Sequence, residues 1–363
     1  MTPKQRVYAA LAKQPVDRVP IFMWFHPDTA AEFAAMLEIP VSAVGEAMGN
    51  DIRQTWVNNN YAMEGIVHQR DGESHLDWWG VRWLRQHSFN QISQFPLAGA
   101  SREQVLAYRF PDDRLEELLS LMEPVVRAGS GYFIGCDVSP CVFEMYWRLR
   151  GMEDAMADIA GDPDLASGMF RRCADFSIAV GEAACGRFPL DWFWTGDDVA
   201  GQHSMMMSPP SWRALVRPQL ERVIAVGKRR GLPVAYHCCG ALRPIIADLI
   251  QMGVNVLNPV QANCKGMDAP ELKREFGRDL AFMGGVDTQG LLPHASALEV
   301  RRATEALIEA MTADGGGYIL AASHTISPET PVENVFAMYE AAGIRKEEIY
   351  DRAGSIRARN AAN

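Results

Sequence analysis

The stretch Gly231-Leu-Pro-Val-Ala-Tyr-His-Cys-Cys-Gly240 decides how the rest of the chain is read. Pro233 to Tyr236 is a short apolar run of the kind that forms a strand covered on both faces, and it stops abruptly at His237-Cys238-Cys239. Alternate residues of a strand share a face, so His237 and Cys239 project together while Cys238 points away. An imidazole and a thiol so placed can hold one zinc ion if a third ligand arrives from elsewhere. The same spacing also fits the commoner case of a hydrogen-bonded histidine beside a buried cysteine.

Working outward, apolar runs at Tyr132–Cys136, Trp192–Thr195, Val254–Leu257, Leu280–Gly284 and Tyr318–Ala321 alternate with helical segments, the rhythm of a parallel sheet wrapped by helices. A helix is expected over Arg114–Ala128. Other helix starts carry capping signals at Ser208, at Asp268 with Glu271, at Ser296 with Glu299 and at Thr330 with Glu333. Gly231, Gly253 and Gly277 stand where helices should stop. Arg18–His26 is a further strand candidate, and a last one is expected near Asp51. From 61 to 99, Tyr61, Asp71-Gly72, Trp78-Trp79-Gly80 and Trp83 predict turns and short antiparallel strands, an insertion rather than a βα unit. The prediction is an α/β chain folded as a (β/α)8 TIM barrel rather than an open doubly wound sheet, one domain with that insertion.

The strand candidates end in polar residues: His26, Asp137, Asp197-Asp198, His237, Asn258 with Gln261, Asp287 and His324. A barrel gathers its C-terminal strand ends at one mouth, where active sites are built. His324 would therefore meet His237 and Cys239, giving a His/Cys/His zinc site with one position open, the arrangement of catalytic zinc. Asp197, Asp198 and Asp287 are candidates for catalysis, for orienting a ligand, or for capping the loops that follow. His26, Asp51, Asp137 and Gln261 are candidate substrate contacts. Trp24, Phe25, Trp56, Trp78, Trp79, Trp192 and Trp194 are candidate pocket walls, against the alternative that they pack the core.

Bulk properties agree with an enzyme. The 363 residues are 48% hydrophobic and 22% charged, ordinary for a globular protein with a sizeable core. A formal charge of -10 argues against nucleic acid or anionic membrane as partner. No apolar run is long enough to cross a bilayer, no signal-peptide core opens the chain, and the 7 cysteines follow no disulfide spacing, so a cytoplasmic protein is expected.

Several motifs carry a resemblance. Gly196-Asp-Asp198, His237-Cys-Cys-Gly240, Met283-Gly-Gly-Val-Asp287, His324-Thr-Ile-Ser-Pro-Glu-Thr-Pro331 and the opening Asp17-Arg-Val-Pro20 resemble the uroporphyrinogen decarboxylase superfamily. The resemblance implies a distorted barrel and two kinds of chemistry. Decarboxylases of the family hold their acidic tetrapyrrole with arginines in an N-terminal segment, and here that stretch is Phe22-Met-Trp-Phe-His-Pro27, with none. The other branch, the cobamide-dependent methyltransferases, is similar in its His-x-Cys and in a third zinc ligand at the position of His324. The resemblance thus implies Zn2+ as cofactor and transfer of a methyl group between a small molecule, such as an aryl methyl ether or a thiol, and a separate corrinoid protein. The alternatives are a metal-free decarboxylase of tetrapyrrole metabolism and a non-enzymatic barrel that binds a tetrapyrrole or corrinoid.

Overall fold

In a computed structural model of the chain, residues 1–58, 68–127, 129 and 131–361 are described here. Tyr61 and Ala128, on which two expectations fell, lie outside them. Seven parallel strands pair in the order β1 (Ile52–Trp56), β5 (Phe133–Asp137), β6 (Trp192–Gly196), β7 (Val234–His237), β8 (Val256–Val260), β9 (Ala281–Val286) and β10 (Tyr318–Ala322). Between β1 and β5 an antiparallel sheet of β2 (Ser74–Leu76), β3 (Arg82–Gln86) and β4 (Phe89–Gln94) occupies the insertion.

The segment Pro20–Phe25 lies between the two edges of the parallel sheet and curls it toward closure. Ile21 bridges Leu320 and Phe25 bridges Ile326, both in parallel, while the Asp51 N–H donates to the Ile21 carbonyl at 2.8 Å. The Asn50 side chain supplies two further bonds, to Met23 N and O at 3.2 and 3.0 Å. An amide side chain standing in for ladder bonds is one source of the distortion. The strand expected near Asp51 is β1.

Alternation explains what fills the interior. Trp192 and Trp194 point inward and Phe193 outward, where it fills the space left by Gly181 and Gly227. A Cβ at either glycine would sit 2.9 or 2.6 Å from the Phe193 ring or its Cβ, so those helices close on the sheet only because they carry glycine there. Inside, Phe133, Trp192, Trp194 and Trp24 pack ring against ring with centroids 5.2, 5.1 and 5.4 Å apart. This aromatic column rises to His237, 6.4 Å from Trp24.

Three local expectations differ. The helix foreseen over Arg114–Ala128 breaks into Leu115–Ser120 and Met122–Arg127. Thr330 caps nothing: its hydroxyl is buried without a partner and Pro331 is the N-cap of Val332–Ala341. Asp51 precedes β1 and therefore lies at the N-terminal end of the barrel, opposite the mouth. It is fully buried, paired with Arg6 and Arg18, and accepts the Ile21 N–H at 2.8 Å. It is a structural anchor, not a substrate contact.

Candidate functional site

Parallel register brings the strand ends to one level: Trp56 pairs with Asp137, Asp137 with Trp194, Gly196 with His237, and His237 with Asn258. Above them opens a cavity of about 300 Å³ whose lining includes Trp24, Trp56, Asp137, Trp194, His237 and His324. Asp198, Asn258, Glu144 and Arg148 line it as well. A larger and more open groove of about 700 Å³ runs along Met205–Met207. That groove contains none of the clustered metal donors, so the smaller cavity is the candidate site.

Asp198 and His237 line it, and one ligand atom each from these two and Cys239 lies within 4.8 Å of the others. Cys239 Sγ is 3.6 Å from His237 Nε2. His237 Nδ1 is 2.7 Å from Asn258 Oδ1, which fixes the tautomer with hydrogen on Nδ1 and leaves the Nε2 lone pair free. Asp198 Oδ1 accepts the Cys239 N–H at 2.8 Å, tying one donor residue to another. Gly240 makes this turn possible: its φ is +92°, and a Cβ there would come within 2.6 Å of the Gly201 carbonyl. Burial, and next the Asp198 carboxylate, push the Cys239 thiol well above its usual pKa. Only a bound cation would hold sulfur as thiolate in such surroundings.

The sequence grouped His324 with His237 and Cys239, but the compact donor group contains Asp198 instead. His324 lines the same cavity from its rim. Desolvation, and next His237, lower the pKa of its ring, against an opposing pull from Asp198, so the imidazole is neutral at pH 7.

The other predicted residues divide cleanly. Trp24, Trp194 and Asp137 line the cavity. Asp197 does not: it is fully buried and accepts the N–H groups of Val142, Phe143 and Glu144 at 3.3, 3.1 and 2.7 Å, seating the helix Phe143–Arg150. Asp287 takes the N–H groups of Gln289, Gly290 and Leu291, the loop-capping role. His26 is the N-cap of Pro27–Leu37 and its Nε2 meets the Ser88 carbonyl at 2.9 Å, so it docks the inserted sheet. Gln261 accepts the Gly240 N–H at 2.9 Å and supports the metal-side turn from behind.

Sequence reasoning missed Glu144 as a site residue. Glu144 accepts the Asp198 N–H at 3.0 Å and pairs with Arg148 at 2.5 Å. The available signal was a Glu and an Arg at i, i+4, which by itself reads as a surface helix pair.

Asp137 accepts both the N–H and the hydroxyl of Ser139, at 2.8 and 2.6 Å. Burial pushes its carboxyl up to about 7. A raised acid pKa favours the protonated folded form, so this contribution is complete below about pH 4 and is lost as pH rises through about 7. In chelator-treated protein, Asp137→Asn is therefore expected to flatten the fall in melting temperature between about pH 4 and 7. An unchanged profile would show that the carboxyl ionises normally.

The profile of the uroporphyrinogen decarboxylase (URO-D) family matches residues 98–343, and the chain belongs to that family. Among solved structures it is similar to a methyltransferase from Methanosarcina mazei, with 20% identity and a TM-score of 0.66, over 94% of this chain and 98% of that one. A much looser likeness, with TM-score 0.41 and 10% identity over 61% of this chain and 79% of the other, is to an endo-beta-1,4-xylanase from Gloeophyllum trabeum. No protein of curated function matches the sequence. Among the described residues no helix is long and apolar enough to cross a membrane.

Proposed function

We propose that this chain is a zinc-dependent methyltransferase that moves a methyl group between a small molecule and a separate corrinoid protein. The observation carrying the proposal is the Asp198, His237 and Cys239 donor group, of which Asp198 and His237 line an aromatic cavity. One imidazole with its Nε2 free, one thiol and one carboxylate form a mixed N/S/O donor set suited to zinc. His237 and Cys239 would hold the ion, with Asp198 and His324 as further donors in the same cavity. When bound, zinc would supply Lewis acidity toward the heteroatom that bears or receives the methyl group. The fold it shares with the methyltransferase from Methanosarcina mazei is consistent with this reading.

The protein's own part is placement. Asn258 would keep His237 Nε2 facing the cavity, and Glu144 and Gln261 would steady the turns that carry Asp198 and Cys239. Trp24 and Trp194 would shield the reacting group from water. The carboxyl of Asp137, pushed up to about 7, is a group here able to exchange a proton near neutral pH. The cavity of about 300 Å³ is at the lower end for small-molecule sites, which favours a substrate of one ring over a tetrapyrrole.

The direct test incubates the zinc-loaded protein with reduced cobalamin, as a stand-in for the corrinoid protein, and a panel of methyl ethers and methyl thioethers. Methylcobalamin formation that disappears in Cys239→Ser supports the proposal. Metal-free decarboxylation of a porphyrinogen, with no methyl transfer to cobalamin, would replace it with the decarboxylase reading. Asn258→Ala is expected to weaken zinc binding by about 10–100-fold in a competition titration with a chelator, the usual effect of removing a histidine's orienting partner.

A further inference from the structure

We infer that Arg148 anchors an anionic group of the substrate, so that the small molecule is an aromatic acid bearing the transferable methyl group. The methyl rests on the function proposed above; the acid does not.

The inference comes from counting donors and acceptors around the cavity. Each cavity carboxylate already accepts at least one bond. Glu144 takes the Asp198 N–H with one oxygen and Arg148 Nη2 with the other. Asp198 Oδ1 takes the Cys239 N–H, and Asp137 Oδ1 takes two bonds from Ser139. Donors are in surplus. Arg148 Nε is buried without an acceptor, its Nη1 has none among the described residues, and Asn258 Nδ2 is likewise buried and unpartnered. A donor left unpaired is destabilising, and an acceptor brought to the guanidinium relieves it. A cationic ligand would instead compete with Arg148 for Glu144.

Arg148 is also held ready. Its guanidinium lies over the rings of Trp56 and Trp83, 5.5 and 5.7 Å from their centroids. Glu144 fixes one end of the planar group at 2.5 Å, which orients the guanidinium while using only one of its N–H groups. Among the described residues, no other arginine or lysine lines the cavity. Trp24, Trp56 and Trp194 offer faces or edges to a ring, and aromatic packing there adds to the charge-assisted bond. The carboxylates nearby repel little: Glu144 is paired, Asp198 belongs to the metal donors, and buried Asp137 tends to the neutral form.

The test is a binding titration by tryptophan fluorescence, using zinc-loaded protein and three ligands of one shape: 4-methoxybenzoate, 4-methoxybenzyl alcohol and 4-methoxybenzylammonium. The benzoate is expected to bind at least about tenfold tighter than the alcohol, as a hydrogen-bonded charge pair would give. Arg148→Gln should erase that preference, and Arg148→Lys should keep part of it. Equal binding of the three, or tightest binding of the ammonium, overturns the inference. So does a benzoate preference that survives Arg148→Gln, because the carboxylate would then be binding the metal. The ligand order in unaltered protein decides the matter even if a variant misfolds. No corrinoid is needed, so a benzoate preference without methyl transfer would overturn the proposed chemistry and leave the anchor standing.

Discussion

His237→Ala and Cys239→Ser proteins are each expected to retain less than about a tenth of the zinc bound by the unaltered chain after equal dialysis, and to lose methyl transfer with it. Both side chains belong to the one compact donor group among the described residues, and their ligand atoms are 3.6 Å apart. Removing either leaves one member of that group beside Asp198, a carboxylate that already accepts a backbone N–H, with His324 outside the group. The thiol carries a second penalty. Burial keeps it protonated in the absence of a cation, so an apo site that has lost its imidazole has little to start metal uptake. Melting temperatures in the presence of excess chelator should be nearly equal for variant and parent, since the loss lies in the metal and not in the fold. Full zinc retention in both variants would remove the site from consideration.

The largest stability effect is expected at the opposite end of the barrel. Asp51→Ala should cost about 3–5 kcal/mol, because it leaves the Arg6 and Arg18 guanidinium groups without their buried counter-ion. It also strips the Ile21 N–H of its acceptor, on the segment that joins β10 to β1. Thermal unfolding should fall by on the order of 10 °C, with zinc content unchanged in the protein that remains folded. If Asp51→Ala instead melts like the parent but fails to bind ligand, the residue belongs to the active site after all.

Much of this was legible in the sequence, for reasons that separate well. Strand positions showed through because residues buried on both faces, such as Trp192-Phe193-Trp194, read as apolar runs whatever surrounds them. The pairing of His237 with Cys239 followed from strand periodicity alone. What a residue does at a strand end was harder to see, because capping and chemistry use the same side chains. Asp197 and Asp198 are neighbours, yet one is fully buried against three backbone N–H groups and the other joins the metal donors. Asp51 was misplaced for a different reason: it starts a strand, and only the register reveals which end of the barrel that is. Glu144 and Arg148 come from the short helix Phe143–Arg150, whose place at the cavity is a tertiary event with no local signature.

X-ray absorption at the zinc edge of the purified protein tests the central claim most directly. The account predicts about one zinc per chain with a single sulfur in its first shell and nitrogen or oxygen ligands completing it. Absence of zinc after metal-replete purification, or a shell with two or more sulfurs, would contradict it.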